Sequence, residues 1–233
     1  MKIALFGYGK MGKMIERMAL DRGHSITAKV DIGTTDINFS NMDVAIDFST
    51  PDAAFGNITA CLEQGIPVIS GTTGWLTNYD KVVELCNKKK GAFIYASNFS
   101  LGVNLFFELN RYLAKMMHNL KAYKIVLEEI HHTQKLDAPS GTAITLAEGI
   151  IENTDYKGWK LDEGDESTLP IISKRIGTVP GTHTISYQSE VDNVEIKHTA
   201  HNREGFALGA VIAAEWISGK TGVFSMKDVL NLG

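Results

Sequence analysis

Through the N-terminal part of the chain, short apolar runs alternate with stretches whose apolar positions repeat at helical spacing. Residues 2–6, Lys-Ile-Ala-Leu-Phe, form a compact run that predicts a buried strand. Within residues 11–22 the apolar positions Met14, Ile15, Met18 and Ala19 share one helical face, and residues 25–30 predict a second strand. The alternation continues with strands over 44–48, 67–70 and 92–96 and helices over 51–64 and about 77–88. Strands separated by helices in this way predict a parallel, doubly wound sheet with right-handed crossovers. A helix over 103–117 is expected to bridge to a second domain.

The grammar then changes. Residues 124–130 are β-branched and apolar and predict a strand, and 142–151 predict a helix with Ser140 as N-cap behind Pro139. Residues 153–168 are polar and read as a loop. Strands over 171–175, 182–189 and 194–200 follow without helices between them, so mixed or antiparallel pairing is expected. The apolar helix over 206–218 is expected to pack back on the N-terminal sheet. The exposed edges of the second sheet point to oligomerisation.

Composition narrows the function classes. A formal net charge of −4 leaves no nucleic-acid footprint, and the longest basic run, Lys88-Lys89-Lys90, closes a predicted helix. The most hydrophobic stretch, residues 207–217, is short and interrupted by Glu215, so no membrane partner is expected. Cys61 and Cys86 suggest neither a disulfide framework nor a zinc site, and no metal is expected. No leader peptide is expected either, because a functional-looking loop begins at Gly7, and the expected location is the cytoplasm.

That loop, Gly7-Tyr8-Gly9-Lys10-Met11-Gly12, sits between the first strand and the first helix, and the second strand ends at Asp31. Gly7 permits the tight turn, Gly9 a close approach to a pyrophosphate, and Gly12 close helix–strand packing, while Asp31 can accept from ribose hydroxyls. The fold class expected is α/β, a Rossmann-type doubly wound parallel sheet with a second α+β domain on a mixed or antiparallel sheet. Residues 1–99 with 204–233 would form the dinucleotide-binding domain, and 100–203 the substrate-binding and oligomerisation domain. Loops at the carboxyl ends of the other strands, Phe48-Ser49-Thr50, Gly71-Thr72-Thr73-Gly74 and Ala96-Ser97-Asn98-Phe99, are candidates for holding the cofactor.

The second cluster is Glu128-Glu129-Ile130-His131-His132-Thr133-Gln134-Lys135-Leu136-Asp137-Ala138-Pro139-Ser140-Gly141-Thr142-Ala143. It combines two imidazoles, an ammonium and a helix start, whose unpaired amides attract anions. Such a set suits capture of a carboxylate substrate beside a proton donor. His24, His118, His183, His198 and His201 carry no such context and read individually as structural or exposed.

On these residues the chain resembles the 4-hydroxy-tetrahydrodipicolinate (dihydrodipicolinate) reductases. The resemblance runs along essentially the whole chain and is strongest at Glu129 to His132, Lys135 and Asp137 to Ala143. Asp47-Phe48-Ser49, Ser97-Asn98-Phe99-Ser100 and Gly102-Val103-Asn104 support it. It implies His131 as catalytic proton donor and Lys135 as second acid and charge partner. His132, Ser140, Gly141 and Thr142 would bind substrate. Gly7, Tyr8, Gly9, Lys10, Met11, Gly12, Asp31, Gly71, Thr72, Thr73, Ala96, Ser97, Asn98 and Phe99 would hold NADH or NADPH. It also implies a homotetramer acting in diaminopimelate and lysine synthesis on a small dicarboxylate. Many relatives carry arginines where this chain has Lys10 and Ile32. With Asp31 at the ribose and no guanidinium beside it, NADH is expected to serve at least as well as NADPH.

Two other readings compete. An aldehyde or semialdehyde dehydrogenase needs a cysteine nucleophile, and Cys61 and Cys86 fall inside predicted helices. A non-catalytic dinucleotide sensor leaves the residues from His131 to Thr142 unexplained.

Overall fold

The computed structural model describes residues 1–34 and 36–232; Thr35 and Gly233, both inside the predicted dinucleotide-binding domain, lie outside the described residues. Backbone contacts divide the chain into two units, Met1–Leu101 with Glu204–Gly233, and Gly102–Arg203.

The first unit alternates strand and helix: β1 (Lys2–Phe6), α1 (Lys10–Asp21), β2 (Ser25–Val30), β3 (Val44–Asp47), α2 (Pro51–Glu63), β4 (Val68–Ser70), α3 (Tyr79–Lys89) and β5 (Ala92–Tyr95). The second unit contains α4 beyond its first residue (Leu101–Met117), β6 (Lys124–His131), α5 (Gly141–Ile151), β7 (Gly158–Leu161), β8 (Thr168–Arg175), β9 (Gly181–Gln188) and β10 (Asn193–Ala200). The chain then returns to the first unit with α6 (Glu204–Ile217), β11 (Gly222–Phe224) and α7 (Met226–Leu230).

All pairings in the six-stranded sheet, ordered β11-β5-β4-β3-β1-β2, are parallel. Side chains alternate across such a sheet, and β1 shows the consequence. Ile3 and Leu5 join a core with α1, α6 and α7, while Ala4 and Phe6 join a core with α2 and α3 on the other face. Both faces are covered, which is why these strands read as unbroken apolar runs. Helix α6 fits against the sheet because its buried face is mostly small, with Ala207, Gly209, Ala210, Ala213 and Ala214 beside Val211 and Ile217.

The second sheet, ordered β10-β9-β6-β8-β7, is mixed: β6 is antiparallel to β9 and parallel to β8, and β7 is parallel to β8. Its core joins Val103, Phe106 and Ala114 of α4 and Leu146, Ala147 and Ile150 of α5 to Leu127, Ile171, Ile185 and Tyr187 of the strands. Two expectations need correction here. The stretch expected to be loop contains β7, and β8 begins at Thr168 rather than at 171. Strand β7 is half exposed, so it lacks an apolar run, and β8 carries Pro170, a residue that ordinarily marks a strand boundary. Strand β11 and helix α7 were also absent from the expected pattern, each too short to show a period.

Gly209 shows how tightly α6 is seated. A Cβ at this position would lie 1.7 Å from the carbonyl oxygen of Phe99. Helix propensity alone favours alanine over glycine by about 1 kcal/mol, but the clash with backbone should outweigh that gain. Gly209→Ala is expected to lower unfolding free energy by about 1–3 kcal/mol, as overpacking does. Denaturant unfolding of the two proteins measures this, and an unchanged or raised midpoint would show that α6 can shift away.

Candidate active site

Past an exposed Lys124, strand β6 alternates buried and half-buried positions, so that Ile125, Leu127, Glu129 and His131 all face inward. Two apolar residues are thus followed by two ionisable ones on the same buried face. Register then supplies their neighbours. Glu129 stands opposite His183 of β9 and opposite Ser173 of β8, and His131 stands opposite Arg175.

Glu129 has no exposed surface. Its Oε1 accepts from the Ser140 amide at 3.1 Å, the Ser173 hydroxyl at 2.8 Å and the Arg175 guanidinium at 3.1 Å. Its Oε2 lies 3.1 Å from Nδ1 of His131 and 3.8 Å from Nε2 of His183. The 3.1 Å contact is an ion-pair approach rather than an aligned hydrogen bond, and both atoms are buried without another partner. Burial by itself would raise the Glu129 carboxyl. The groups of His131, Ser140, Ser173 and Arg175 overturn that and hold it well below the usual carboxylate range.

His183, read from sequence as structural or exposed, is buried beside the predicted proton donor. Its ring packs edge-on to His131, with centroids 5.2 Å apart, and its Nε2 lies 3.2 Å from Oγ of Ser140. Burial first, then the neighbouring His131, pushes its pKa down to about 3, so His183 is a neutral ring. Glu129, His131 and His183 each bring one ligating atom within 4.8 Å of the others, a spacing a divalent cation could use. Arg175 already supplies a positive charge to that carboxylate.

Ser140 caps α5 as predicted, its Oγ accepting from the Ala143 amide at 3.2 Å. Its hydroxyl is therefore turned inward and engaged. Gly141 is exposed with nothing within 4 Å of the position a Cβ would take, and Thr142 beside it is half-buried. His132 is half-buried in the turn after β6, where its carbonyl accepts from the Lys135 amide. Lys135 does not stand alone: its ammonium pairs with both oxygens of Asp137 at 2.8 and 2.7 Å, which lowers the Asp137 carboxyl. Arg175 stitches this loop, donating to the carbonyls of Lys135 and Asp137. A cavity of about 700 Å³ opens at the opposite, Lys124 end of β6, lined by Met117, Tyr123 and Tyr187 among others, and contains none of these residues.

In the first unit the glycine loop fits a dinucleotide. A Cβ on Gly7, whose φ is +88°, would meet the Phe48 carbonyl oxygen at 2.1 Å, and one on Gly12 would meet the Gly7 carbonyl oxygen at 2.3 Å. Gly9, by contrast, has nothing within 4 Å, and α1 starts at it without a side-chain cap. That combination leaves the helix start open to a pyrophosphate. Lys10 is exposed and Met11 half-buried at this helix start. Tyr8 donates to Glu16 and lies under Lys29, whose ammonium is 2.7 Å from Glu16 and 3.0 Å from the Tyr8 hydroxyl. Asp31 is exposed at the end of β2, accepting from the Ile32 amide at 2.9 Å.

The remaining loops are organised by Asp47, which sequence reasoning noted only as part of a turn. Its buried carboxyl accepts from Ser49, Asn57, Ser70 and Thr72 at 2.6–3.1 Å. Burial raises its pKa, and these neutral donors only partly offset the rise. Thr72 in turn accepts from the Ser49 amide at 2.8 Å, and Gly71 is seated so closely on Phe48 that a Cβ would fall 2.3 Å from the ring. Thr73 and Ser97 are exposed, and Ala96 is tied to the carbonyl of Ser70. Asn98 accepts from the Ser100 amide, whereas the Phe99 ring is core, packed on Phe48. Cys61 and Cys86 are buried in α2 and α3, and burial pushes the Cys61 thiol up to about 12, unsuited to nucleophilic attack.

Comparison with known proteins places the chain in a family. Residues 1–99 match the model of the dihydrodipicolinate reductase N-terminus, and residues 102–230 match that of the C-terminus. The chain belongs to the dihydrodipicolinate reductase family. The family's C-terminal region therefore extends past the second unit into α6, β11 and α7 of the first. A 4-hydroxy-tetrahydrodipicolinate reductase of Christiangramia forsetii is 60% identical over 234 aligned positions, covering 99% of this chain and 98% of the relative. The Neisseria meningitidis enzyme of the same name is 35% identical, covering 93% of this chain and 84% of the relative. A dipicolinate-bound dihydrodipicolinate reductase from a Paenisporosarcina species shares the fold, with a TM-score of 0.78 at 22% identity over 96% of this chain and 97% of that one.

The buried pair of Glu129 and His183 sets an acid limit on stability. The folded pKa of His183 lies below its ordinary 6.5, so on acidification the unfolded chain binds that proton first. Stability from the neutral ring is whole above about pH 6.5 and is lost as pH falls toward the folded value. Glu129, also lowered, subtracts further only below its ordinary 4.5, while the raised pKa of Asp47 acts in the opposite direction. Unfolding free energy is expected to fall by up to about 2 kcal/mol from His183 between about pH 6.5 and 5. Denaturant unfolding of wild type and His183→Gln at both pH values checks this; equal falls in the two proteins would clear His183 of the effect.

Proposed function

We propose that this chain reduces 4-hydroxy-tetrahydrodipicolinate to tetrahydrodipicolinate with NADH or NADPH, in diaminopimelate and lysine synthesis. The observation that carries the reading is His131, set at the end of β6 on a buried ionised carboxylate and followed closely by a capped helix start. The family and the names of its 60% and 35% identical relatives support the substrate. The nicotinamide, when bound, supplies the hydride that adds to the conjugated ring carbon remote from nitrogen after water is lost. His131 supplies the proton that completes the reduction, acting as general acid. The Gly141 and Thr142 end of α5 takes one substrate carboxylate on the helix N-terminus. His132 adds a donor there, and Ser140 contributes by shaping the helix start rather than through its engaged hydroxyl. Lys135 meets the second carboxylate by exchanging it for Asp137.

On the first unit, Gly7 to Gly12 with Tyr8, Lys10 and Met11 cradle the pyrophosphate and Asp31 the adenosine ribose. The loops of Gly71, Thr72 and Thr73 and of Ala96, Ser97, Asn98 and Phe99 would hold the nicotinamide half, with Thr72 and Phe99, whose side chains are engaged in the fold, contributing through their backbones. Lys29 is committed to Glu16 and Tyr8, so it adds little to binding of a 2′-phosphate beside Asp31. NADH is therefore used at least as well as NADPH. The working form is a cytoplasmic homotetramer.

The test is a single assay of purified protein with freshly generated substrate and either nucleotide, following loss of reduced nicotinamide. Turnover is expected with NADH at an efficiency at least matching NADPH, and His131→Gln should lower turnover by about 10²–10⁴-fold. No oxidation of either nucleotide would refute the reaction, a tenfold preference for NADPH would refute the cofactor reading, and near-full turnover in the variant would remove His131 from the chemistry. In the same assay Lys135→Met should weaken inhibition by pyridine-2,6-dicarboxylate more than by pyridine-2-carboxylate; equal losses would end its assigned role.

A further inference from the structure

We infer that Glu129 is a positioning residue for this reduction, holding Nδ1 of His131 so that Nε2 is the atom presented to substrate, and fixing that imidazole relative to the first turn of α5. The inference rests on the reduction proposed above and concerns a residue to which no role has been given there.

The two oxygens of Glu129 do different things. Oε1 is saturated by the Ser140 amide, the Ser173 hydroxyl and the Arg175 guanidinium. Those three donors meet the needs of the fold: they tie β6 to β8 and to the start of α5. Oε2 takes none of them. It is buried, and the groups it faces are two imidazoles, His131 Nδ1 at 3.1 Å and His183 Nε2 at 3.8 Å. His183 is held neutral and already sits on the Ser140 hydroxyl. The ring available to give Oε2 a proton is therefore His131. A carboxylate accepting from Nδ1 directs the transferable proton to Nε2 and stabilises the imidazolium that a general acid must be before it gives the proton up. Contacts of this kind are commonly loose without substrate and tighten in the reacting complex. Because the same carboxylate takes the Ser140 amide, donor and substrate helix are referred to one point. Arg175 keeps it ionised and also holds the carbonyls of the Lys135–Asp137 loop.

Glu129→Gln separates positioning from folding. Glutamine can keep an oxygen toward Ser140, Ser173 and Arg175 while placing an amide NH₂ where Oε2 faced His131, and that group cannot accept from Nδ1. Glu129→Asp keeps the charge but withdraws it from the ring by one methylene. The wild-type rate is measured first, so failure of the reduction shows there and failure of this inference shows only in the ratios. Glutamine is expected to lower kcat by about 10²-fold or more, with KM and inhibition by pyridine-2,6-dicarboxylate changed less than about threefold, the pattern of an interaction lost from the transition state alone. The alkaline limb of the kcat profile should move to lower pH. Aspartate should lie between the two, with about a tenfold loss and the same direction of movement, and it decides the matter alone if the glutamine protein does not fold. Unchanged kcat in the folded variants overturns the inference. So does a fall in kcat accompanied by an equal loss of inhibitor affinity and an unmoved pH profile, which is the signature of a structural role only.

Discussion

A carboxylate without exposed surface stays ionised only when donors replace the water it has lost, and in the second unit Glu129 is that carboxylate. Its needs dictate much of what surrounds it. Strand β8 must pair in the register that brings Ser173 alongside, Arg175 must fold inward, and α5 must begin where the Ser140 amide can reach Oε1. A one-residue slip of β6 would turn Glu129 and His131 to the other face together. Asp47 in the first unit meets a similar constraint differently. Its donors are hydroxyls and an amide, none of them charged, and its pKa rises instead of falling. The contrast follows from chemistry: a guanidinium can offset desolvation of a carboxylate, and neutral donors do so only in part.

Charges near the motif are matched throughout. Lys135 is held by Asp137, Arg175 by Glu129, and Lys174 by Glu128. A dicarboxylate substrate would therefore gain its ion pairs by exchange, with Asp137, 60% exposed at its side chain, the partner most easily displaced into water. Exchange of this kind favours selectivity over raw affinity, because a singly charged analogue leaves one of the pairs unimproved.

Most of the architecture could be read from periodicity because both sheet faces are covered. The runs at β1, β3 and β4 are apolar on consecutive residues, and the glycine loop stands where β1 turns into α1. What could not be read was register. Nothing in the sequence near His183, Ser173 or Arg175 says that they lie beside Glu129; that follows from the registers of β9 and β8, which are set by the whole second sheet. Glu129 was legible only as a member of the motif. Ile125, Val126 and Leu127 are apolar on consecutive residues, so no period separates Glu129 from Glu128, and its inward place follows from the strand as folded. Strand β7 and the start of β8 leave no clear mark in the sequence, because half-exposed positions and a proline remove the signals of a buried strand.

Proton delivery from β6 depends on whether the buried carboxylate governs the state of the imidazole beside it. Nitrogen-15 NMR of ring-labelled protein, with the His131 signals assigned by comparison with His131→Gln, reads this directly, since protonated and bare ring nitrogens resonate far apart. With Oε2 of Glu129 in control, Nδ1 of His131 keeps its proton as pH is raised and Nε2 is the nitrogen that loses it. A bare Nδ1 with the proton on Nε2 would contradict that control.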